Sequence, residues 1–160
     1  MKNLAPHVAV AVATLVVGAT ALTGCSTSSS AASPAGGSPE LKVTGAYVPQ
    51  PPMADMAAGY FAITNSGTAP DRLTGVTSDI ASDVSMHTTT ASDQMKPVAS
   101  FTIPAGGRLV LSTGGNHLML MGLKHKPVAG QAVAFHLRFA TSAPITVRAP
   151  VEPATYQPKG

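Results

Sequence analysis

From Leu41 onward the apolar residues come in short runs, often with period two, broken by clusters of Gly, Pro, Asn and Asp. The segment Phe135 to Phe139 carries the pattern most clearly. Phe135, Leu137 and Phe139 fall on one face of a strand, and His136 and Arg138 on the other. Read this way, the chain predicts strands near 41–48, 59–65, 71–77, 83–89, 98–103, 107–111, 117–122, 132–140 and 145–149. Turns are predicted at Asn65-Ser66-Gly67, Pro104 to Gly107 and Gly114-Gly115-Asn116, where Gly supplies positive φ. Eight or nine short strands at this spacing predict an all-β fold, an antiparallel sandwich or barrel. No internal repeat interrupts the pattern.

Two of these strands carry side chains that a core does not require. In Gly114 to Leu123, GGNHLMLMGL, alternation places His117, Met119 and Met121 on one face and Leu118 and Leu120 on the other. In Asp83 to Thr89, DVSMHTT, Val84 and Met86 point toward the predicted core while Ser85 and His87 point away. The polar stretch 88–93 reads as a hairpin loop that brings Met95 back beside His87. Imidazole and thioether together suit monovalent copper: sulfur is soft and polarisable, and a Met ligand offers little to magnesium, calcium or manganese. The competing reading is packing, since Met fills gaps in cores and a lone His is often hydrogen-bonded there.

Composition narrows the function classes. Only 11% of residues are charged, and loss of Lys2 with the leader lowers the net charge from +3 to +2, with no basic run. Nucleic-acid binding therefore has no electrostatic basis, and three Tyr with no Trp form no stacking platform. The chain has no phosphate-cradling Gly loop, no HExxH and no GxSxG, so no enzymatic activity is expected.

The N-terminus predicts export. Residues 1–24 read as a signal peptide, with Lys2, an apolar stretch from Val8 to Ala21, and small residues up to Cys25. That apolar stretch is shorter than the roughly 20 residues needed to span a bilayer. Leu22-Thr23-Gly24-Cys25 resembles the bacterial lipoprotein box, which implies acylation at Cys25 and an extracytoplasmic domain anchored to the cell membrane by lipid. Cys25 is the only Cys, so the mature domain has no free thiol. Residues 25–40, rich in Ser, Ala, Gly and Pro, predict a flexible tether. The folded domain is expected over 41–150, with a tail over 151–160.

Met95 and His117 are separated by 21 residues (96–116), and one residue separates His117 from Met119. This spacing resembles the PCuAC family of periplasmic copper chaperones, whose signature is a His, a Met, 21 residues, then His-x-Met. The resemblance extends over most of 41–150, through Ala58-Gly59-Tyr60-Phe61, Ile103 to Gly107 and His117 to Leu123. It implies a cupredoxin-like β-sandwich without the cupredoxin Cys, and His87, Met95, His117 and Met119 as Cu(I) ligands. It also implies delivery to a copper-receiving protein, either the copper subunit of cytochrome oxidase or a thiol-bearing assembly factor. One departure is visible: the family places ten residues between its first His and its Met, whereas seven (88–94) intervene here. If His87 were displaced, Met121, Met53 or Met56 could complete the site.

Packing is the expected role of Met121, where the strand should enter the core, and of Met53 and Met56 in a Pro-rich loop. His125 is expected in a solvated loop, and His136 on the exposed face of a strand. No second copper site is expected in the tail, since Thr155 to Gly160 contains neither His nor Met. A monomer is expected. Two rival functions follow from the same residues: a structural or adhesive β-sandwich lipoprotein, and a redox copper protein. The latter is disfavoured because blue-copper electron transfer uses a Cys ligand.

Overall fold

The computed structural model describes residues 37–158. The signal peptide, Cys25 and most of the tether expected from the sequence lie outside the described residues. Ten strands and no helix are found among the described residues: β1 (Leu41–Pro49), β2 (Met56–Asn65), β3 (Asp71–Ser78), β4 (Ala81–Thr89), β5 (Met95–Pro97), β6 (Phe101–Ile103), β7 (Arg108–Val110), β8 (His117–Leu123), β9 (Ala132–Phe139) and β10 (Ile145–Glu152).

Their hydrogen-bonded order is β5-β4-β8-β2-β1-β10-β9-β3-β6, and β7 also pairs with β2. β2 shares one edge between two partners, pairing Met56 to Gly59 with β8 and Ala62 to Thr64 with β7. All ladders are antiparallel except β1 with β10, which run parallel at Val48 opposite Val151. The expected all-β fold is observed, with ten strands rather than eight or nine. The additional strand is β5, three exposed residues that alternation alone could not separate from the loop.

The sheet curls so that its two halves share one core. Phe61 of β2 meets Phe135 of β9, with ring centroids 6.4 Å apart. Leu118 and Leu120 of β8, Leu73 of β3 and Leu137 of β9 are fully buried around them. Gly59 makes the approach possible: a Cβ there would lie 2.8 Å from Phe135 Cζ. Next to Gly59, strand alternation leaves Ala58 and Met119 paired on the opposite, outward face.

Two buried polar side chains fasten the loops. Asn65 accepts from Glu40 N and Gly67 N and donates to the Ala69 carbonyl. Asp71 accepts backbone N–H bonds from Arg72, Thr141 and Ser142 at 2.7–3.0 Å. The final strand runs two residues beyond the expected boundary at 150, and Val151 is buried. Past it, Tyr156 packs edge-on against Tyr47, with centroids 5.1 Å apart.

Candidate metal centre

The site is built on the outward face of β4, β8 and β2. Strand period sends Leu118 and Leu120 inward and leaves His117, Met119 and Met121 on the other side. On β4, Met86 is buried in the core while Ser85 and His87 take the outward face. Antiparallel register then places His87 directly opposite His117, and Ser85 opposite Met119. The two imidazole rings lie nearly parallel, 20° apart, with centroids 5.7 Å apart.

Each ring is oriented through one nitrogen and left bare at the other. His117 Nδ1 donates to the Gly115 carbonyl at 2.9 Å, which leaves Nε2 as the acceptor. His87 Nε2 bonds Ser85 Oγ at 3.0 Å, and its Nδ1 is free. Both free nitrogens, His117 Nε2 and His87 Nδ1, are buried and without a hydrogen-bond partner among the described residues. A buried polar atom without a partner carries a free-energy cost of about 1–3 kcal/mol. Both are nitrogens of a type that can ligate a soft metal ion. Burial, with the neighbouring His117 as a second cause, lowers the pKa of His87 below the ordinary imidazole value. The neutral, metal-binding form is thereby favoured.

The turn before β8 sets the His117 ring. Gly115 N donates to the Ser112 carbonyl at 3.0 Å, and Gly114 takes a φ of 77°, a left-handed conformation that suits glycine. The Gly115 carbonyl is thus fixed where it receives both His117 Nδ1–H and the Thr89 N–H.

The shortened hairpin leaves Met95 beside the pair. Thr90 and Gln94 close the loop through Thr90 N to the Gln94 carbonyl, and Asp93 adopts φ 56° at its tip. β5 then pairs with β4 with Met95 opposite Thr89 and Pro97 opposite His87. Met95 therefore stands one diagonal step from His87, and Met119 one diagonal step on the other side, distances that long side chains bridge. Met95 is 58% exposed, as the flexible rim of a site would be.

The remaining candidates divide. Met121 was expected to pack, but it is 38% exposed. Alternation keeps it on the outward face with His117 and Met119, opposite Met56 and Asp83. Met56 was expected in a loop and instead begins β2, directly opposite Met121, while Met53 is 52% exposed. His125 is exposed. His136 stands on the outer side of β9, bonded to Thr146 and Asp79. Sequence reasoning did not assign roles to Ser85 and Gly115. Ser85 was recoverable, being two residues from His87 on the same face.

Among the described residues no three His, Cys, Asp or Glu side chains gather into a metal site. The side chains that border the two imidazoles on this face are instead Ser85 and the thioethers of Met119 and Met95.

The same architecture occurs in copper proteins. The chain matches the copper-bound PCuAC domain from PmoF2 with a TM-score of 0.63 and 25% identity, covering 71% of this chain and 92% of that one. It matches the Cu(I) form of DR1885 from Deinococcus radiodurans with a TM-score of 0.59 and 36% identity, covering 69% and 77%. In sequence it is 34% identical over 150 residues to "Putative lipoprotein Lxx21020" of Leifsonia xyli subsp. xyli, covering 90% of this chain and 88% of that protein. Residues 41–151 match the family model described as "Putative lipoprotein LpqE-like". The chain thus belongs to the LpqE-like lipoprotein family, whose domain here has the cupredoxin-like fold of PCuAC copper proteins.

Proposed function

We propose that this protein is an extracytoplasmic, lipid-anchored carrier of one Cu(I) ion, held by His87, His117, Met119 and Met95. The observation that carries the reading is the facing pair of imidazoles, each with one buried and unpartnered nitrogen, on a face rimmed by thioethers. Two neutral imidazoles and two thioethers form a soft, uncharged ligand set that favours Cu(I) over harder divalent ions. Ser85 and the Gly115 carbonyl orient the rings from behind, as second partners of metal-bound His commonly do.

Such a site suits carriage rather than catalysis. It holds the ion near the surface, with an exposed Met95 that can swing away, and releases it to a partner offering Cys thiolates, which bind Cu(I) more strongly than thioethers. The recipient is a copper-requiring protein, and assembly of the cytochrome oxidase copper centre is the delivery route we propose. Attachment through acylated Cys25 is supported by the lipoprotein relatives and keeps the domain at the membrane, where such a recipient resides.

The reading is tested by a Cu(I) competition titration of the processed chain. One tight equivalent, weakened at least about tenfold (about 1.4 kcal/mol) by His117→Ala, is expected. Absence of binding by the folded protein would leave a structural β-sandwich lipoprotein as the better account.

A further inference from the structure

The chain has seven Met residues, of which Met1 belongs to the leader. Among the other six, only Met86 is buried in the core. The remaining five sit on or beside the outward face of the sheet that carries the imidazole pair: Met95, Met119, Met121, Met56 and Met53. Two of these complete the site above. Three are left over, and their positions are not those of gap-filling core residues, since Met53 and Met121 are among the most exposed large apolar side chains of the protein.

The three are grouped around Met56. Met56 lies directly opposite Met121 in the β2–β8 ladder, where facing Cβ atoms are about 4.5–5.5 Å apart. Met56 and Met53 line one concavity of about 400 Å³ between the Pro49 to Met53 loop and β2. Met119 lines the same concavity, so one candidate ligand of the imidazole site also borders the leftover group. Across β8, Met121 faces Asp83 of β4, which supplies a negative charge beside an otherwise neutral set of sulfurs.

We propose that Met53, Met56 and Met121 form a second, all-thioether site for Cu(I), adjoining the two-imidazole site through Met119. Three thioethers match the low coordination number and softness of monovalent copper, and without an imidazole they hold it more weakly. The site therefore works as a transit position. An ion arriving at the exposed Met53 passes to Met56 and Met121, and then by way of Met119 to the imidazoles; release follows the reverse path. No electron or proton moves in this transfer, only ligand exchange at a closed-shell ion. The proposal extends the carrier reading, yet its ligands are distinct from His87 and His117, so each can fail separately.

The test uses Ag(I), a redox-inert monovalent stand-in, added to the full mature chain with 13C-methyl-labelled Met and followed by NMR. The first equivalent is expected to shift the ring signals of His87 and His117 and the methyls of Met95 and Met119. A second equivalent is expected to shift the methyls of Met53, Met56 and Met121, and these shifts should persist in the His87→Ala, His117→Ala double variant. In a Met56→Leu, Met121→Leu variant, which keeps apolar volume, the second equivalent should be lost while the first still moves the imidazoles. That retained response shows that the variant is folded. The proposal is overturned if the methyls of Met53, Met56 and Met121 stay unmoved while the imidazoles respond. It is also overturned if the leucine variant still takes up a second equivalent. Failure of the imidazoles to respond, with the three methyls still shifting, would count against the carrier site alone.

Discussion

His87 and His117 face each other across the β4–β8 ladder with ring centroids 5.7 Å apart, and each has one buried nitrogen without a hydrogen-bond partner among the described residues. In a protein interior two such atoms are normally paired. Their joint exception, on a sheet face that also carries Met119, is the feature that the proposed Cu(I) ion would satisfy.

Removing one thioether should separate ligation from packing. Met119→Leu keeps the side-chain volume and is expected to leave the melting temperature nearly unchanged, while weakening Cu(I) about tenfold or more. Calorimetry beside a Cu(I) competition assay checks both halves. A large loss of stability with unchanged affinity would make Met119 a packing residue.

Acid should release the metal. Burial, then the neighbouring His117, lowers the folded pKa of His87 below its ordinary 6.5. Because the neutral imidazole is the proposed ligand, affinity is expected to hold through neutral pH and to fall as the pH drops through the lowered value of His87, where protons compete. The same depression means the apo fold loses this group's contribution as pH drops through the folded value. Equal Cu(I) affinity at pH 7.5 and pH 5 would argue against imidazole ligation.

Much of this arrangement could be read from the sequence, for a physical reason. A period-two pattern is local, so the outward set of His117, Met119 and Met121 and the inward pair Leu118 and Leu120 follow from the order of residues alone. The facing of His87 and His117 does not, because it depends on a ladder between strands far apart in sequence. There the resemblance to a spaced His and Met signature supplied what periodicity could not. The surroundings of Met121 and Met56 are tertiary: no element covers the outward face at Met121, which stays 38% exposed, and pairing with β8 draws Met56 into a strand. Strand β5 escaped notice because three exposed residues have no apolar pattern, and their only signature is the partner they pair with.

Gly59 should tolerate no side chain. A Cβ would come within 2.8 Å of Phe135 Cζ, in a ring with no free space to retreat. Gly59→Ala is expected to cost about 1–3 kcal/mol by overpacking, seen as a lower denaturant midpoint with an unchanged m-value. An unaltered midpoint would mean that the sheet halves can separate freely at this point.

Asp71 should contribute to acid stability. Its burial raises the carboxyl pKa, but hydrogen bonds from Ser142, Arg72 and Thr141 outweigh that effect and hold it below the usual carboxylate value. A depressed folded pKa stabilises above the unfolded value, near 4, and the contribution fades as pH falls through the folded one. Asp71→Asn is therefore expected to lower stability at pH 7 by about 1–3 kcal/mol and to flatten its decline in acid. Parallel pH profiles for the two proteins would contradict this role.

The most direct test of the carrier account is a Cu(I) competition titration of the processed chain, run beside His87→Ala and His117→Ala. The account predicts one tight equivalent in the parent protein and a loss of at least about tenfold in each variant, with the fold intact by circular dichroism. Undiminished binding in both variants, or none in the parent, would contradict it.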